Sequence, residues 1–128
     1  MEPVYLFDLA TRHSQWAAQR QVTIAGNIAN ANTPRFQARD IEPFSASLDK
    51  TRLVMTATRP GHLNPAANGV SEIGSEHAET WDVTHSGNSV RIDQELMKAN
   101  QAARAVSLDT SIMRSFHRML LTSLRSGG

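Results

Sequence analysis

Between Ile92 and Leu124, apolar side chains return every three or four positions: Ile92, Leu96, Ala99, Ala103, Val106, Met113, Leu120 and Leu124, with polar lapses at Thr110 and His117. Alternating three- and four-residue steps keep one stripe of a helix apolar, and here the stripe lasts more than four heptads. The helix so predicted is about 50 Å long. Leu108, Ile112, Phe116 and Met119 widen its apolar surface beyond a single seam. Asp93 and Glu95 near its start, and Arg114, Arg118 and Arg125 near its end, suit the helix dipole. Asn88 or Ser89 is the expected N-cap, and Gly127-Gly128 frays the far end.

A second amphipathic pattern runs from about Val4 to Asn30, through Leu6, Leu9 or Ala10, His13, Ala17, Ile24 and Ile28. Pro34 biases Thr33 away from helical geometry, so this helix is expected to end just before Thr33. Between the two lies a polar stretch, about Arg35 to Gly87, with most of the glycine and proline: Arg59-Pro60-Gly61, Asn64-Pro65 and Asn68-Gly69. Leu53, Met55 and Ala57 alternate as in a short strand, and Asn68-Gly69 suits a tight turn.

The expected organisation is one mainly α domain in which segments 1–34 and 88–128 pair as antiparallel, coiled-coil-like helices. Segment 35–87 is an irregular polar middle with little β structure. Two helices cannot cover all these apolar residues: Leu108, Ile112, Phe116 and Met119 are expected to stay partly in water, and each such side chain forgoes roughly 1.5–3 kcal/mol. The chain is therefore expected to assemble through Ile92, Leu96, Val106, Met113, Phe116, Leu120 and Leu124.

The 128 residues suffice for one domain, and aromatics make up only 5% of them. The formal charge of +1 excludes a polybasic nucleic-acid binder. Arg12 with Arg20, or Arg114 with Arg118 and Arg125, could line a helix face, but no aromatic-interleaved basic stripe accompanies them. Without cysteine there is no disulfide, thiol nucleophile or Cys-based zinc site. His62, His77 and His85 match no metal-ligand spacing. Ser86 near His85 and Asp82 lacks the glycine pattern of a nucleophile elbow, so no enzyme and no cofactor are expected. Trp16 and Trp81 read as packing anchors. Met1 to Asp8 lacks a basic n-region, which predicts no cleavable signal peptide, and no apolar run approaches a membrane span.

Asn27, Asn30 and Asn32 crowd the end of the first helix, although asparagine competes for backbone hydrogen bonds and is a mediocre helix former. Thr33 and Pro34 explain a stop. Three spaced amides suggest a stop combined with a subunit contact.

The run Asn27-Ile28-Ala29-Asn30-Ala31-Asn32-Thr33-Pro34-Arg35-Phe36 resembles the N-terminal signature of bacterial flagellar rod and hook proteins, Asn-Ile-Ala-Asn-x-Asn-Thr-Pro-Gly-Tyr/Phe. Gln37 to Asp40, Thr58 to Leu63 and Gly87 to Met97 resemble later segments of the proximal-rod proteins, in order and at the expected length. Two positions depart. Arg35 stands where the family has glycine, and a type I turn or open loop is expected there, because positive φ costs a side chain roughly 1–2 kcal/mol. Arg91 stands where the family more often has aspartate, and an acid on a neighbouring subunit is its expected partner.

The resemblance implies a structural subunit of the proximal rod of the flagellar basal body, one of many forming a hollow helical shaft around the export channel and carrying torque across the periplasm. It implies export through the flagellar type III apparatus on an uncleaved N-terminal region. It also implies contacts with further copies, other rod proteins, and the adaptor and membrane-ring proteins. Asn27, Ile28, Asn30, Asn32, Thr33, Pro34 and Phe36 would be the assembly motif. The alternative is a helical structural or adaptor component of another type III-like export system.

Overall fold

Proline is favoured in the first helical turn, where its missing N–H has no partner to lose, and the first helix opens on one. In the computed structural model, which describes residues 3–52 and 74–126, α1 spans Pro3–Ala29. It unwinds through tightening bonds: Asn30 N–H donates to the carbonyls of Gly26 (3.2 Å) and Asn27 (3.1 Å), and Ala31 N–H to that of Ile28 (3.1 Å). A short strand β1 (Arg39–Ile41), a helix α2 (Phe44–Arg52), a strand β2 (Ser75–His77) and the long helix α3 (Ile92–Ser126) follow. The expected strand at Leu53, Met55 and Ala57, the turn at Asn68-Gly69, His62 and the segment Thr58 to Leu63 lie outside the described residues.

The terminal helices pack antiparallel along heptad seams. On α1 the fully buried positions are Ala10, Ala17, Ile24 and Asn27. On α3 the buried seam positions are Glu95, Ala102 and Asp109, seven residues apart, and Gln94 is buried beside them. Half-buried Lys98, Ala105, Ile112 and Phe116 complete the α3 seam. Phe7 and Phe116 meet edge to face, with ring centroids 6.2 Å apart.

This seam is displaced by one residue from the apolar stripe that spacing alone selects. One residue is a rotation of about 100°. The stripe through Leu96, Ala103, Val106, Met113, Leu120 and Leu124 therefore lies on the flank. Small alanines allow close approach, polar pairs share the seam with Ile24, Ile112 and Phe116, and most of the large apolar residues of α3 are left outside it.

The start of α3 also differs from expectation. The carbonyl of Arg91 accepts the first helical bond, from Glu95 N–H at 2.9 Å, so Arg91 occupies the N-cap position. Asn88 and Ser89 serve the end of α1 and the backbone just before β1 instead.

In the middle, β1 and β2 pair antiparallel with Arg39 opposite His77, Asp40 opposite Glu76 and Ile41 opposite Ser75. Trp16 Nε1–H donates to the Glu42 carbonyl at 2.8 Å, and Phe44 packs edge-on against His13 with centroids 4.7 Å apart. These contacts hold the start of α2 against α1.

Candidate assembly interface

The asparagine motif forms a knot inside the chain. Asn27 is 2% exposed. Its Nδ2–H₂ donates to the Arg39 carbonyl (2.6 Å) and to Glu95 Oε2 (3.0 Å), and its Oδ1 accepts Arg39 N–H (3.0 Å). One amide thus joins α1, β1 and α3, and satisfies a carboxylate whose isolated burial would be costly. Asn30 Nδ2–H₂ donates to the Gly26 carbonyl at 2.9 Å, and its Oδ1 accepts the Thr33 hydroxyl at 3.2 Å. Ile28, Asn32, Thr33 and Pro34 are exposed; Phe36 is half-buried.

Asn88 closes the knot from the other side. It is 1% exposed, and its Nδ2–H₂ reaches the carbonyls of Asn30 (2.8 Å), Ala31 (3.0 Å) and Thr33 (2.7 Å). The Asn30 and Thr33 carbonyls also accept the N–H groups of Thr33 and Phe36, so Asn88 adds a second donor to each and supplies one to the Ala31 carbonyl past the helix end. Its Oδ1 accepts Val90 N–H at 2.7 Å, and Ser89 Oγ accepts Ala38 N–H at 2.7 Å.

The loop at Arg35 overturns the expected turn. Phe36 N–H donates to the Thr33 carbonyl at 3.3 Å, with Pro34 second and Arg35 third at φ +60°, a type II arrangement. Backbone pairing on both sides imposes it: Arg35 N–H donates to the Ser86 carbonyl and Ser89 N–H to the Phe36 carbonyl, both at 3.0 Å. Gly87, at φ +79°, lies against this turn, and a Cβ there would stand 3.4 Å from Arg35 Cγ. Arg35→Gly is therefore expected to raise unfolding free energy by about 1 kcal/mol, strain relief exceeding the added chain entropy. Urea titration of the two chains reads this directly.

Charge is concentrated beside the knot. Arg20 donates to Asp40 through Nε (3.1 Å) and Nη2 (3.2 Å), while Lys98 Nζ lies 3.3 Å from Asp40 and 3.4 Å from Glu95. Burial pushes the Asp40 carboxyl up. The Arg20 hydrogen bonds, Ile41 N–H, and the Arg20 and Lys98 charges outweigh burial, so the group titrates below the ordinary aspartate value. A depressed folded-state pKa gives stability that is present above the unfolded value and lost as pH falls through the folded one. Asp40→Asn should cost about 2 kcal/mol near neutrality. The deficit should shrink on acidification below about pH 4, measured by urea titration across pH.

Further along, His13 Nδ1–H donates to both Asp109 oxygens (2.8 and 3.0 Å) and stacks on Trp16. Trp16 is an anchor as expected; Trp81, 64% exposed, is not. Arg12 pairs with Asp8 at 3.0 Å. Arg91 lies 3.8 Å from Asp82 and 3.6 Å from Asp93, so acids of its own chain face it. Among the described residues, no three His, Cys, Asp or Glu side chains converge as metal ligands, and no helix is long and apolar enough to cross a membrane.

The knot and the polar seam fix how α3 is presented. Its outer face exposes Ile92 (52%), Leu96 (53%), Leu120 (38%) and Leu124 (78%), with Val106 and Met113 half-buried; Phe116, expected on the assembly surface, turns instead into the seam against Phe7. Leu121 (50% exposed) adds to this face, whereas Leu108 (58%) stands on the opposite flank, one residue before Asp109 of the seam. Asn88, Glu95, Asp40 and Lys98, which organise the knot, are not apparent from sequence spacing; apart from Arg20, 20 residues from Asp40, their partners across the fold are 55–68 residues away.

The profile of the family described as "Flagella basal body rod protein" matches residues 15–37, which include the knot's N-terminal half. The chain is 38% identical to the flagellar basal body rod protein FlgB of Agrobacterium fabrum, over 98% of this chain and 96% of that protein. It is 32% identical to FlgB of Proteus mirabilis, over 85% of each chain. It is 28% identical to FlgB of Salmonella typhimurium, over 94% of this chain and 96% of that protein. A helix pair knotted at the signature asparagines, its outer face open to neighbours, and full-length similarity to these proteins together establish that the chain belongs to the FlgB family of flagellar basal body rod proteins, structural components of the rod.

Proposed function

We propose that this chain is a subunit of the proximal rod, packing side by side with its neighbours through α1 and α3 to build a hollow shaft around the export channel. In this role it passes torque from the membrane ring, through adaptor proteins, to the rest of the rod. It reaches its place through the flagellar type III export apparatus and catalyses nothing. The observation that supports this reading best is the outer face of α3: a stripe of large apolar residues that the partner helix of the same chain leaves uncovered. Ile28, Asn32, Thr33 and Pro34, exposed beside the knot, extend the contact surface at the other end.

Deleting the gene in a motile host tests it. Basal bodies from the deletion strain should retain membrane rings and lack rod and hook, and the expressed chain should restore them and appear in the purified structure. Complete rods assembled without the chain would refute the reading.

A further inference from the structure

Exposure alternates along the run that leaves the knot: Arg35, Gln37 and Arg39 are exposed, while Phe36 is half-buried and Ala38 buried. A period of two places the three exposed residues on one side of an extended chain. Arg39 stands opposite His77 in the ribbon, and that histidine is exposed too. The backbone of this run is held at several points. Arg35 N–H donates to the Ser86 carbonyl, Gln37 Nε2–H₂ donates to the Gly87 carbonyl at 3.3 Å, and Asn27 grips both backbone polar groups of Arg39. Two arginines are thus presented on a fixed frame.

Among the described residues, no side chain pairs with either guanidinium, whereas Arg12, Arg20 and Arg91 each face a carboxylate. The acids near the run are occupied or turned away. Asp40 is held by Arg20 and Lys98, Asp82 and Asp93 face Arg91, and Glu76, opposite Asp40, lies on the other face of the ribbon from Arg39 and His77. Arg35 is also a costly residue at its position, since φ is +60° and glycine would hold the same turn without strain. Strain kept at an exposed site points to a use for the side chain that bears it.

We infer that Arg35 and Arg39 form a two-armed clamp for carboxylates on an acidic segment of a different basal-body protein that packs over the knot. This rests on the rod-subunit reading and adds one contact to it. The Cα atoms of the two arginines are at most about 13 Å apart, a span that two carboxylates on one segment can match. Guanidinium is the group suited to such pairing, because its planar fork meets a carboxylate through two parallel bonds. A second copy is a poor occupant, because its Asp82 and Asp93 already face Arg91 and leave no ready pair of carboxylates at this end. A membrane or a nucleic acid is a poor one too: such polyanions are held by clusters of four or more cations, and this run carries two.

The turn strain makes the test discriminating. In cells lacking the native gene, Arg35→Gly with Arg39→Gln should lower the yield of rod-bearing basal bodies about tenfold, while the purified variant unfolds in urea no more easily than the parent. A purely structural role predicts the reverse, because glycine relieves the turn. A photo-reactive benzophenone amino acid in place of Gln37, between the two arginines, should crosslink in basal bodies to a different protein, beside at least two of its Asp or Glu residues. Arg35→Glu with Arg39→Glu should abolish that product, and changing those partner acids to arginine should restore it. Crosslinks to a second copy overturn the contact, as do crosslinks to no protein with binding to phosphatidylglycerol vesicles, or a double variant that assembles like the parent. Each of these leaves the rod reading standing. Absence of the native chain from basal bodies removes both. If the Gln37 variant does not enter basal bodies, the double variant decides: a tenfold loss of assembly at undiminished stability supports the clamp, and unchanged assembly overturns it.

Discussion

An Asn88→Ala chain should unfold with about 3 kcal/mol less free energy than the parent in urea titration, a large share of what a domain of this size has to lose. The substitution removes a donor shared by the Asn30, Ala31 and Thr33 carbonyls just past α1, and the acceptor from the buried Val90 N–H. Asn88→Asp separates hydrogen bonding from packing. It keeps the shape but turns an oxygen toward three carbonyls, and should be at least as damaging. If Asn88→Asp matched the parent, the amide would not be the tie that the distances indicate. Hydrogen exchange adds a local reading, because Val90 and Arg35 amides should lose protection before those in the middle of α3.

A Leu120→Asp chain should express normally and melt close to the parent, within about 1 kcal/mol, because the residue stands at the surface of the lone chain. The same change should abolish swimming and rod assembly. In a packed interface the carboxylate has no partner, and a penalty of several kcal/mol per contact weakens association by more than a hundredfold. Swimming assays and isolation of basal bodies read the outcome. A strain that swims normally would show that this face of α3 meets no neighbour.

Much of the helical framework could be read in advance, because periodicity over more than four heptads is a strong signal and Thr33-Pro34 is a hard stop. The rotation of α3 could not. Spacing alone favours the stripe richest in large apolar residues, whereas the actual seam is Glu95, Lys98, Ala102, Ala105, Asp109, Ile112 and Phe116. Polar residues occupy seam positions only because a matching group on α1 or β1 meets them: Asn27 for Glu95, Asp40 for Lys98, His13 for Asp109. Such pairings join residues far apart in sequence and leave no local periodic trace. The same holds for Arg35, whose local preference against positive φ yields to two backbone bonds made by a segment about fifty residues later. Strand β1 is equally nonlocal, as three residues with burial in only one place make a weak pattern until Asn27 grips Arg39. The asparagine run was recognisable as a motif. That its first asparagine is spent entirely within the chain was not.

The alternation of alanines with charged or polar pairs along α1 and α3 bears on how a load would pass through the molecule. Alanine against alanine offers nothing to stop one helix sliding past the other, since a shift of about 5.4 Å would present much the same smooth surface. The polar pairs act as pegs. The same shift would set the Asp109 carboxylate beside Leu9 and Ala10, or beside Trp16 and Ala17, and would part Glu95 from Asn27 at once. Axial slippage must therefore break every peg together, so the pair behaves under pull as a toothed rack and not as a greased piston.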